Sequence, residues 1–388
     1  MFHLAGAEDI LSGKVTDVYF ERTKKILHSL GKDARVNVEF VVKKFPALNN
    51  WGIFAGLEEA MTILDRLPVT VEGLPEGSLF FEDEPVLTLT GNYLDFGPYE
   101  TALLGLLCQA SGVATRAARC KKAAGDRPVI SFGARRMHPA LAPMIERNAF
   151  IGGCDGVASI AAAELLQITP SGTIPHALIL LLGDTLEAVK AFDEFIDPNI
   201  PRVALIDTFN DERFEALRVA EFFKQKLAAI RLDTPGNRRG DFVSLAQEIR
   251  WELDLRGYQH VKIFLSGGID EKKILQYNCI ADAYGVGTDI SNAPVLDFSM
   301  DIVEINGQPL AKRGKKSGKK VLCRHRTTGE RRVLPASRAP EQKPDWIPLL
   351  QEMRREGKSS FQAPPATEIR KFVLQQLEQV EQLEQVID

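Results

Sequence analysis

From about residue 128 the sequence repeats one pattern: a short run of β-forming apolar residues, a polar glycine-rich turn, and then a helical stretch. The apolar runs are PVISF, NAFIG, VALID, LAAIRL, VKIFL and CIADAYGV. Strands that alternate with helices form parallel β/α units, and helices on both faces of the sheet explain why the strands are continuously apolar. About six or seven such units favour a complete or partial β/α barrel, with a doubly wound open sheet as the alternative. In either architecture, ligands bind at the carboxyl ends of the strands.

The residues outside this repeat follow different patterns. Residues 1–125 contain strand-like segments such as ARVNVEFVVKKFP and segments with helical spacing such as WGIFAGLEEAMTILDRL. YETALLGLLCQASGVATRAARCKKAAGD predicts a long helix with a break near Ser111 and Gly112. We therefore predict an N-terminal α+β domain over 1–125 and a β/α barrel over 126–300. Residues 301–388 form a basic segment and a charged helical tail, which either stand apart or complete the N-terminal domain.

The composition excludes several classes of partner. The chain has 388 residues, of which 45% are hydrophobic and 26% charged, and its formal net charge of -4 gives no reason to expect nucleic-acid binding. The start, MFHLAGAEDI, lacks the pattern of a signal peptide, and the longest apolar segment, ALILLLG, is too short to span a membrane. Five scattered cysteines without a C-x-x-C pair favour free thiols. We expect a cytoplasmic protein that acts on small molecules, without nucleic-acid or membrane partners.

Two successive apolar runs end in glycine-rich turns, FLSGGID and YGVGTDIS. Small residues at a strand end allow consecutive backbone N–H groups to converge on an anion near the start of the next helix. One such glycine is often only a steric requirement. Two turns on adjacent strands favour a phosphate site.

Arginine and aspartate residues occupy other predicted strand ends. Arg135 and Arg136 in SFGARRMHP suit a bidentate grip on phosphate or carboxylate, although paired arginines are more often solvated. Arg231 and Asp233 lie around the strand end in IRLDTPGNRRGD, and Asp207 holds a similar place in ALIDTFND. The two aspartates suit sugar hydroxyls or a water-bridged Mg²⁺, or they cap the next helix. The spacing alone leaves both interpretations open.

Histidines, cysteines and the N-terminal tyrosine give weaker signals. His176 in GTIPHAL and His138 are lone histidines, which are more often structural than catalytic. Cys323 and His325 supply two of the four ligands that a structural zinc requires, so we expect no zinc. Tyr19 in GKVTDVYFERT is, by spacing alone, a core or capping aromatic.

Taken together, these motifs resemble those of nicotinate phosphoribosyltransferase, in the branch found in archaea and many bacteria. The resemblance covers about residues 8–320 and rests on ordered segments: TDVYFERT, SFGARRMHP, GGCDGVAS, GTIPHAL, DTFND, RLDTPGNRRGDF, SGGID, GVGTDIS and AKRGKKSGKK. It implies the type II phosphoribosyltransferase fold, an α+β domain packed on an incomplete parallel β/α barrel. It also implies a homodimer whose active sites are completed across the interface.

The resemblance implies a reaction in NAD salvage. Nicotinate, phosphoribosyl pyrophosphate, ATP and water would give nicotinate mononucleotide, pyrophosphate, ADP and phosphate. Mg²⁺ is expected with phosphoribosyl pyrophosphate, and ATP is a co-substrate. Such an enzyme must hold two reactants in line and neutralise the departing pyrophosphate.

The same resemblance assigns roles to residues. Asp233 would hold the ribose hydroxyls, Arg135 the pyrophosphate and Arg231 the nicotinate carboxylate. His176 matches a histidine that related enzymes phosphorylate from ATP, and Asp155 an acid close to the ring substituent. Phe132 and, from the neighbouring subunit, Tyr19 match aromatics that contact the pyridine ring. The 5′-phosphate cradle would consist of Ser266, Gly267, Gly268, Gly285, Gly287 and Thr288. The remaining expected substrate-binding residues are Arg136, His138, Thr173 and Asp207.

Three alternatives stay open at this stage. Quinolinate phosphoribosyltransferases use a substrate that carries a second carboxylate, and their chains are usually shorter. Nicotinamide phosphoribosyltransferases have longer chains. A non-catalytic phosphosugar-binding barrel is the third. Relatives can also carry a zinc-knuckle-like segment after KRGKKSGKK, but only Cys323 remains here. That basic run is either a solvated surface or a cationic wall over bound phosphates.

Overall fold

The computed structural model of the protein describes residues 2–46, 50–338 and 345–380. Its helices are α1 Ala7–Leu11, α2 Val18–Ser29, α3 Leu57–Leu64, α4 Tyr93–Phe96, α5 Glu100–Ala124, α6 Ala142–Ile151, α7 Ile160–Leu166, α8 His176–Leu182, α9 Thr185–Phe195, α10 Glu212–Phe223, α11 Gly236–Arg239, α12 Phe242–Leu255, α13 Glu271–Tyr277, α14 Thr288–Ser291 and α15 Ala366–Leu377. Its strands are β1 Arg35–Val42, β2 Trp51–Ile53, β3 Thr70–Gly73, β4 Leu79–Phe81, β5 Leu87–Asn92, β6 Val129–Ser131, β7 Gly156–Val157, β8 Arg202–Leu205, β9 Leu227–Leu232, β10 Lys262–Leu265, β11 Ala283–Val286, β12 Phe298–Ile305, β13 Gln308–Pro309, β14 Lys320–His325, β15 Arg331–Pro335, β16 Trp346–Pro348, β17 Gln351–Arg355 and β18 Lys358–Ser359.

The chain divides into two compact units. The flanking unit consists of the residues up to Thr115 together with those from Pro294 onward, and the barrel unit is Arg116–Ala293. C-terminal segments therefore belong to the same unit as the N-terminal ones. The division falls inside α5, whereas the sequence placed a boundary after residue 125, where that helix has ended.

The flanking unit is built on a seven-stranded sheet in the order β13-β12-β1-β5-β3-β17-β18, whose pairs are antiparallel. Smaller sheets of three strands (β15-β14-β16) and two strands (β2-β4) accompany it. Apolar residues of β1, β5 and β12 share one buried cluster with residues of α3 and the first turns of α5. The interior strand β1, between β12 and β5, is buried along nearly its whole length and contributes to that core.

The barrel unit contains a six-stranded sheet in the order β7-β6-β11-β10-β9-β8, and every recorded pair is parallel. Its two outermost strands, β7 and β8, have no recorded pairing with each other in the part of the chain that is described. The sheet is therefore an incomplete β/α barrel, as the repeat of apolar runs and turns predicted. The carboxyl ends of all six strands lie at one edge of this sheet.

Three predicted elements differ from the structure. NAFIG forms the end of helix α6, and the strand is the two-residue β7 that follows, because a short buried apolar run does not distinguish a helix from a strand. The segment beginning at Trp51 starts with β2, and its helix begins only after Gly56, which has a φ of 89°. Helix α5 runs unbroken through Gly112, where a Cβ would collide with the carbonyl oxygen of Pro294.

Charged residues in the basic run between β13 and β14 pair with acids of the flanking unit. Lys312 and Lys315 both contact the buried carboxylate of Asp301, and Lys320 donates to Glu39 at 2.7 Å. Lys319 pairs with Glu72. These lysines are therefore paired with carboxylates. The two roles predicted for the run were a solvated surface and a cationic wall over bound phosphates, and neither included such pairs. The end of the charged tail, residues 381–388, lies outside the described residues.

Candidate active site

Arg231, near the end of β9, is the centre of a hydrogen-bonded network at the carboxyl edge of the barrel sheet. Its Nε donates to Ser266 Oγ at 2.8 Å, and its Nη1 donates to Thr173 Oγ1 at 2.7 Å. Its Nη2 lies 3.4 Å from Asp233 Oδ2. Ser266 reaches this guanidinium because β9 and β10 are adjacent in the sheet, and Thr173 reaches it from the segment before α8.

Asp233, Asp207 and His176 form the second part of the network. The backbone N–H of Asp233 donates to Asp207 Oδ2 at 3.1 Å. His176 Nε2 lies 3.7 Å from Asp233 Oδ2 and 3.9 Å from Asp207 Oδ1, so one ring nitrogen faces both carboxylates. The His176 side chain is 41% exposed, whereas that of Asp207 is fully buried. The partly exposed histidine side chain therefore has one ring nitrogen directed at two acids.

The Asp207 carboxyl is in an unusual environment. Its Oδ1 atom is buried and has no hydrogen-bond partner among the described residues. Burial raises the pKa of Asp207, and the neighbouring Asp233 adds to that rise, while His176 opposes it. A buried carboxyl oxygen without a donor is suited to accept a ligand or a cation.

Phe132 lies directly after β6 and provides an aromatic face beside Arg231. The guanidinium carbon of Arg231 is 5.1 Å from the centre of the Phe132 ring, and Phe264 packs against the same ring at 5.8 Å. Gly285 in β11 makes room for the ring, since a Cβ there would lie 2.5 Å from Phe132 Cδ2. Burial lowers the pKa of Arg231, the charge of Arg135 lowers it further, and Asp233 and Asp207 oppose both effects.

Arg135, Arg136 and His138 follow Phe132 and are exposed. The two arginines lie in a short 3₁₀ turn, Ala134–Arg136. His138 Nδ1 accepts a hydrogen bond from the backbone of Ala140 and so caps the next 3₁₀ turn, Pro139–Leu141. Because its charge acts on Arg231, Arg135 is part of the same cationic environment.

The two glycine turns follow the neighbouring strands β10 and β11. Gly267 and Gly268 have φ angles of 83° and 66°, a consecutive pair of left-handed residues that glycine alone adopts easily. Ser266 is buried, and its backbone N–H donates to the Leu232 carbonyl at 2.8 Å. Its hydroxyl lies 2.9 Å from Asp233 Oδ1, so Ser266 joins Arg231 to Asp233 instead of offering its N–H to a ligand. Gly287 and Thr288 form the start of α14 after the second turn.

Asp155 does not lie with these residues, and its predicted position close to a substrate ring requires correction. Its Oδ2 accepts hydrogen bonds from the backbone N–H of Val129 at 2.9 Å and from Lys121 Nζ at 3.0 Å. Val129 is the first residue of β6, so Asp155 lies at the amino end of the sheet, opposite Phe132. The correction follows from the misassigned strand: Asp155 precedes β7 instead of following a strand.

Tyr19 belongs to the flanking unit, in α2. Its side chain is 55% exposed, and its hydroxyl lies 3.4 Å from Asp17 Oδ2. Burial raises the pKa of Tyr19, and the charges of Asp17 and Glu100 add to that rise. The residue is thus a partly exposed aromatic, available to a second molecule.

Two residues of the site were missed in the sequence. Thr208 Oγ1 lies 3.0 Å from His176 Nδ1 and fixes the orientation of the imidazole. Glu146, fully buried in α6, accepts hydrogen bonds from the backbone N–H groups of Ala158 and Ser159, both at 2.8 Å. Thr208 follows Asp207 directly and was detectable from the DTFND motif, whereas Glu146 sits in an ordinary helical pattern and gave no signal.

Neither a metal cluster nor a membrane span is evident in residues 2–46, 50–338 and 345–380. Those residues contain no group of three or more His, Cys, Asp or Glu side chains placed to hold a metal ion. Their helices also lack the combination of length and apolar character needed to cross a bilayer.

Comparison with known proteins defines the class of this fold and site. Residues 17–111 match the N-terminal domain of quinolinate phosphoribosyl transferase, and residues 113–301 match its C-terminal domain. The crystal structure of nicotinate-nucleotide pyrophosphorylase from Pyrococcus furiosus is 48% identical, with a TM-score of 0.94 over 99% of this chain and 98% of that one. The chain therefore belongs to the quinolinate phosphoribosyl transferase family, the type II phosphoribosyltransferases.

Two further relatives carry the name that the sequence motifs suggested. Nicotinate phosphoribosyltransferase pncB1 of Mycobacterium tuberculosis (strain H37Rv) is 33% identical over 290 residues, which cover 70% of this chain and 63% of that enzyme. The matched region thus spans less than two thirds of that relative. Human nicotinic acid phosphoribosyltransferase shares the fold, with a TM-score of 0.75 at 20% identity over 94% of this chain and 93% of its own. The resemblance to this family and the incomplete barrel are confirmed.

Proposed function

We propose that this chain is a nicotinate phosphoribosyltransferase. It converts nicotinate, phosphoribosyl pyrophosphate, ATP and water into nicotinate mononucleotide, pyrophosphate, ADP and phosphate. The observation that carries the proposal is the placement of Arg231 over the face of Phe132, next to Asp233 and to the charge of Arg135. The name of the Mycobacterium relative supports nicotinate as the pyridine, whereas nicotinate-nucleotide pyrophosphorylase, the name of the Pyrococcus relative, belongs to enzymes that act on quinolinate.

The acceptor site combines an aromatic face with a cation. An arginine has five N–H donors; two of those on Arg231 are used by Ser266 and Thr173, and a third, on Nη2, faces Asp233 Oδ2 at 3.4 Å. The remaining donors suit a carboxylate on a flat ring that stacks near Phe132. Nicotinate has both features, whereas nicotinamide carries no charge to match the guanidinium.

The donor site requires groups that hold the ribose and its leaving group. Asp233 would accept hydrogen bonds from the ribose hydroxyls, and Arg135 would bind the pyrophosphate. The pyrophosphate leaves C1 of the sugar through an oxocarbenium-like transition state, and the pyridine nitrogen attacks from the opposite face. Fixed charges around the leaving group stabilise the developing negative charge.

Mg²⁺ fits the acids at this edge. Asp207 Oδ1 is a buried oxygen without a donor, and Asp233 presents a second carboxylate to the same histidine nitrogen. Mg²⁺ commonly binds one or two carboxylates together with substrate phosphates, where it neutralises phosphate charge. Asp207 and Asp233 are therefore the residues that would hold it.

His176 is the group that we assign to ATP coupling. Its side chain is partly exposed and its Nε2 is directed at two carboxylates, while Nδ1 is held by Thr208. Phosphorylation of this histidine by ATP breaks the bond between the β- and γ-phosphates and forms an N–P bond. Water then cleaves the N–P bond and releases phosphate, which would drive an otherwise reversible transfer.

We further infer a cytoplasmic homodimer in which Tyr19 of one subunit contacts the pyridine ring in the other. The exposed aromatic ring of Tyr19 supports that role. The five cysteines, all within the described residues, form no disulfide with one another, which is compatible with a reducing compartment. The dimer is the arrangement that would bring a residue of the flanking unit into a site on the barrel.

Quinolinate is the second candidate acceptor. The two matched domains are named for quinolinate phosphoribosyl transferase, and Arg135 and Arg136 are exposed near Phe132. A second carboxylate on the ring would need one of these additional cations. Arg231 with its aromatic partner satisfies a single carboxylate, which favours nicotinate.

A product assay across three pyridines tests the proposal. Purified protein with Mg²⁺ and phosphoribosyl pyrophosphate is given nicotinate, nicotinamide or quinolinate, with and without ATP, and nucleotide and pyrophosphate are quantified. We expect nicotinate to react much faster than the others. Equal rates with nicotinamide would disprove carboxylate recognition, faster quinolinate would establish the second candidate, and no pyrophosphate from any pyridine would indicate a binding protein.

The same assay applied to His176→Ala tests the coupling. Because His176 is assigned to the ATP step alone, we expect basal transfer to persist and stimulation by ATP to disappear. Wild-type protein incubated with γ-labelled ATP should carry an acid-labile phosphate that the variant lacks. Stimulation that survives in His176→Ala would show that another group couples ATP.

A further inference from the structure

Each glycine turn is followed by a carboxylate, and both carboxylates face the same arginine. Glu271 is the first residue of α13, after the SGGID turn, and Asp289 is the second residue of α14, after the GVG turn. Arg116 Nη1 lies 3.8 Å from Glu271 Oε2, and Arg116 Nε lies 4.0 Å from Asp289 Oδ2. One guanidinium of α5 thus bridges the segments that follow both turns.

The neighbouring face of α5 strengthens this bridge. Arg119 donates to Glu271 through Nε at 2.9 Å and through Nη2 at 3.0 Å, a bidentate pair. Cys120 Sγ lies 3.6 Å from Asp289 Oδ2. Residues three and four positions apart on a helix share a face, so these side chains act from one surface. The arginines and acids of this cluster are 18–24% exposed, which limits screening by solvent.

The far end of the same segment is also fixed. Arg127 donates to the carbonyl oxygens of Ala281 at 2.8 Å and Asn278 at 2.6 Å. Asn278 Nδ2 in turn donates to the Ala123 carbonyl at 2.7 Å. Helix α13 is therefore tied to α5 and its continuation at both ends, whereas the turns themselves are made of glycines that resist bending very little.

Without Arg116, the negative charges of the acids near the two glycine turns would repel a bound phosphate. Glu271, Asp289 and Asp270 all lie within two residues of a turn expected to bind an anion. Burial raises the pKa of Asp289, Arg116 opposes the rise, and Asp270 and Glu271 add to it. Arg116 therefore offsets negative charge at the place where the anion would bind.

We propose that Arg116 is a positioning residue that fixes the distance between the two glycine turns and neutralises their acids, so that the turns bind the 5′-phosphate of the sugar. Arg119 holds Glu271 in place for that contact. The inference rests on the proposed function only in that a phosphorylated ribose is the ligand. The inference predicts that replacing Arg116 lowers the affinity for the sugar phosphate and leaves the pyridine site unaffected.

Calorimetric titration of full-length protein with ribose 5-phosphate, and separately with nicotinate, tests this inference. For Arg116→Met we expect affinity for ribose 5-phosphate to fall about tenfold or more, the effect of losing a charged contact. The KM for phosphoribosyl pyrophosphate should rise by a similar factor, while the KM for nicotinate changes less than about twofold. Arg116→Lys should restore part of the loss, which a purely structural role would not explain.

The matched control is Arg256→Met, which removes an arginine paired with Glu252 on α12 of the same unit. It should bind ribose 5-phosphate like wild type. If Arg116→Met does not fold, as judged by its melting curve, Arg116→Gln is titrated in its place. Wild-type affinity in the folded variant, or an equal loss for nicotinate, would overturn the positioning role. Wild-type protein that fails to bind ribose 5-phosphate would instead overturn the proposed function.

Discussion

Lys320 and Arg331 of the flanking unit are buried against carboxylates, whereas Arg231 of the barrel unit contacts two hydroxyls and an aromatic ring and lies 3.4 Å from the partly exposed carboxylate of Asp233. Lys320 pairs with Glu39, and Arg331 forms a bidentate pair with Glu84 at 2.7 Å in both contacts. All four of these side chains are less than 10% exposed. The two cations of the flanking unit are each paired with a buried acid, whereas Arg231 in the barrel unit is held by two hydroxyls and lies beside one carboxylate.

The buried acids show the same contrast. Burial alone would raise the pKa of Asp301, but hydrogen bonds from Lys312 and Lys315 outweigh it and hold that pKa below its usual range. Asp207 is also buried, yet its neighbour is another carboxylate, and its pKa is raised. Removing one partner of a matched buried pair leaves an uncompensated charge in the fold, whereas a buried acid beside another acid is a candidate for ligand binding. The comparison therefore assigns structure to one unit and chemistry to the other.

The largest expected effect lies in the flanking unit. Lys320→Met leaves Glu39 buried without its cation, so we expect the free energy of unfolding to fall by about 3–5 kcal/mol. Urea titration followed by circular dichroism measures this loss. Replacing Glu39 by Leu in the same protein should recover most of the stability, and a double variant as unstable as Lys320→Met would show that the pair is not matched internally.

A smaller and different effect is expected for Arg231→Met in the barrel unit. Its guanidinium is held by two hydroxyls and lies beside a carboxylate that stays partly exposed, so its removal should cost about 1–3 kcal/mol of stability, less than Lys320→Met. The value of kcat/KM for nicotinate should fall by about 10²–10³, the size seen when a preorganised charge is removed. Steady-state rates and urea titrations of one preparation provide both numbers. A large loss of stability with normal turnover would show that Arg231 serves the fold and not the reaction.

The smallest effect concerns Glu100 at the start of α5. Burial raises the pKa of Glu100 to about 7, Asp301 and Asp17 add to the rise, and Lys312 opposes it. The folded protein therefore keeps a proton that the unfolded chain loses near pH 4.5, so this group destabilises the fold as pH rises from about 4.5 to 7. For Glu100→Gln we expect a stability gain on the order of 1 kcal/mol at pH 8, after allowance for solvent screening, and none at pH 4. A gain that does not change with pH would rule out titration of Glu100 as its cause.

Much of the barrel was predictable because its strands are bounded by glycine. LAAIRL is β9 in full, and VKIFL ends where β10 ends, since the glycine turn stops the strand. NAFIG failed because a buried helix end and a buried strand have the same apolar composition. Because NAFIG was taken as the strand, Asp155 was expected just after a strand. It instead precedes β7 and lies at the amino end of the sheet.

The site was predictable as a set of residue types but not as a network. Arg231, Asp233 and Ser266 were each expected from their place at or just after a strand end. Their mutual contacts were not expected, because neighbours in a parallel sheet come from distant parts of the chain. Arg116 contacts only other protein side chains, and a contact of that kind leaves no local pattern in a sequence.

The open sheet has a consequence for solubility. A sheet that does not close has two edges, and the unpaired N–H and C=O groups of an edge strand are a template for aggregation. Here the outermost strands are β7, with two residues, and β8, with four. Strands this short offer few unpaired N–H and C=O groups to a second chain. The short edge strands of the incomplete barrel therefore limit fibre formation by edge-to-edge pairing.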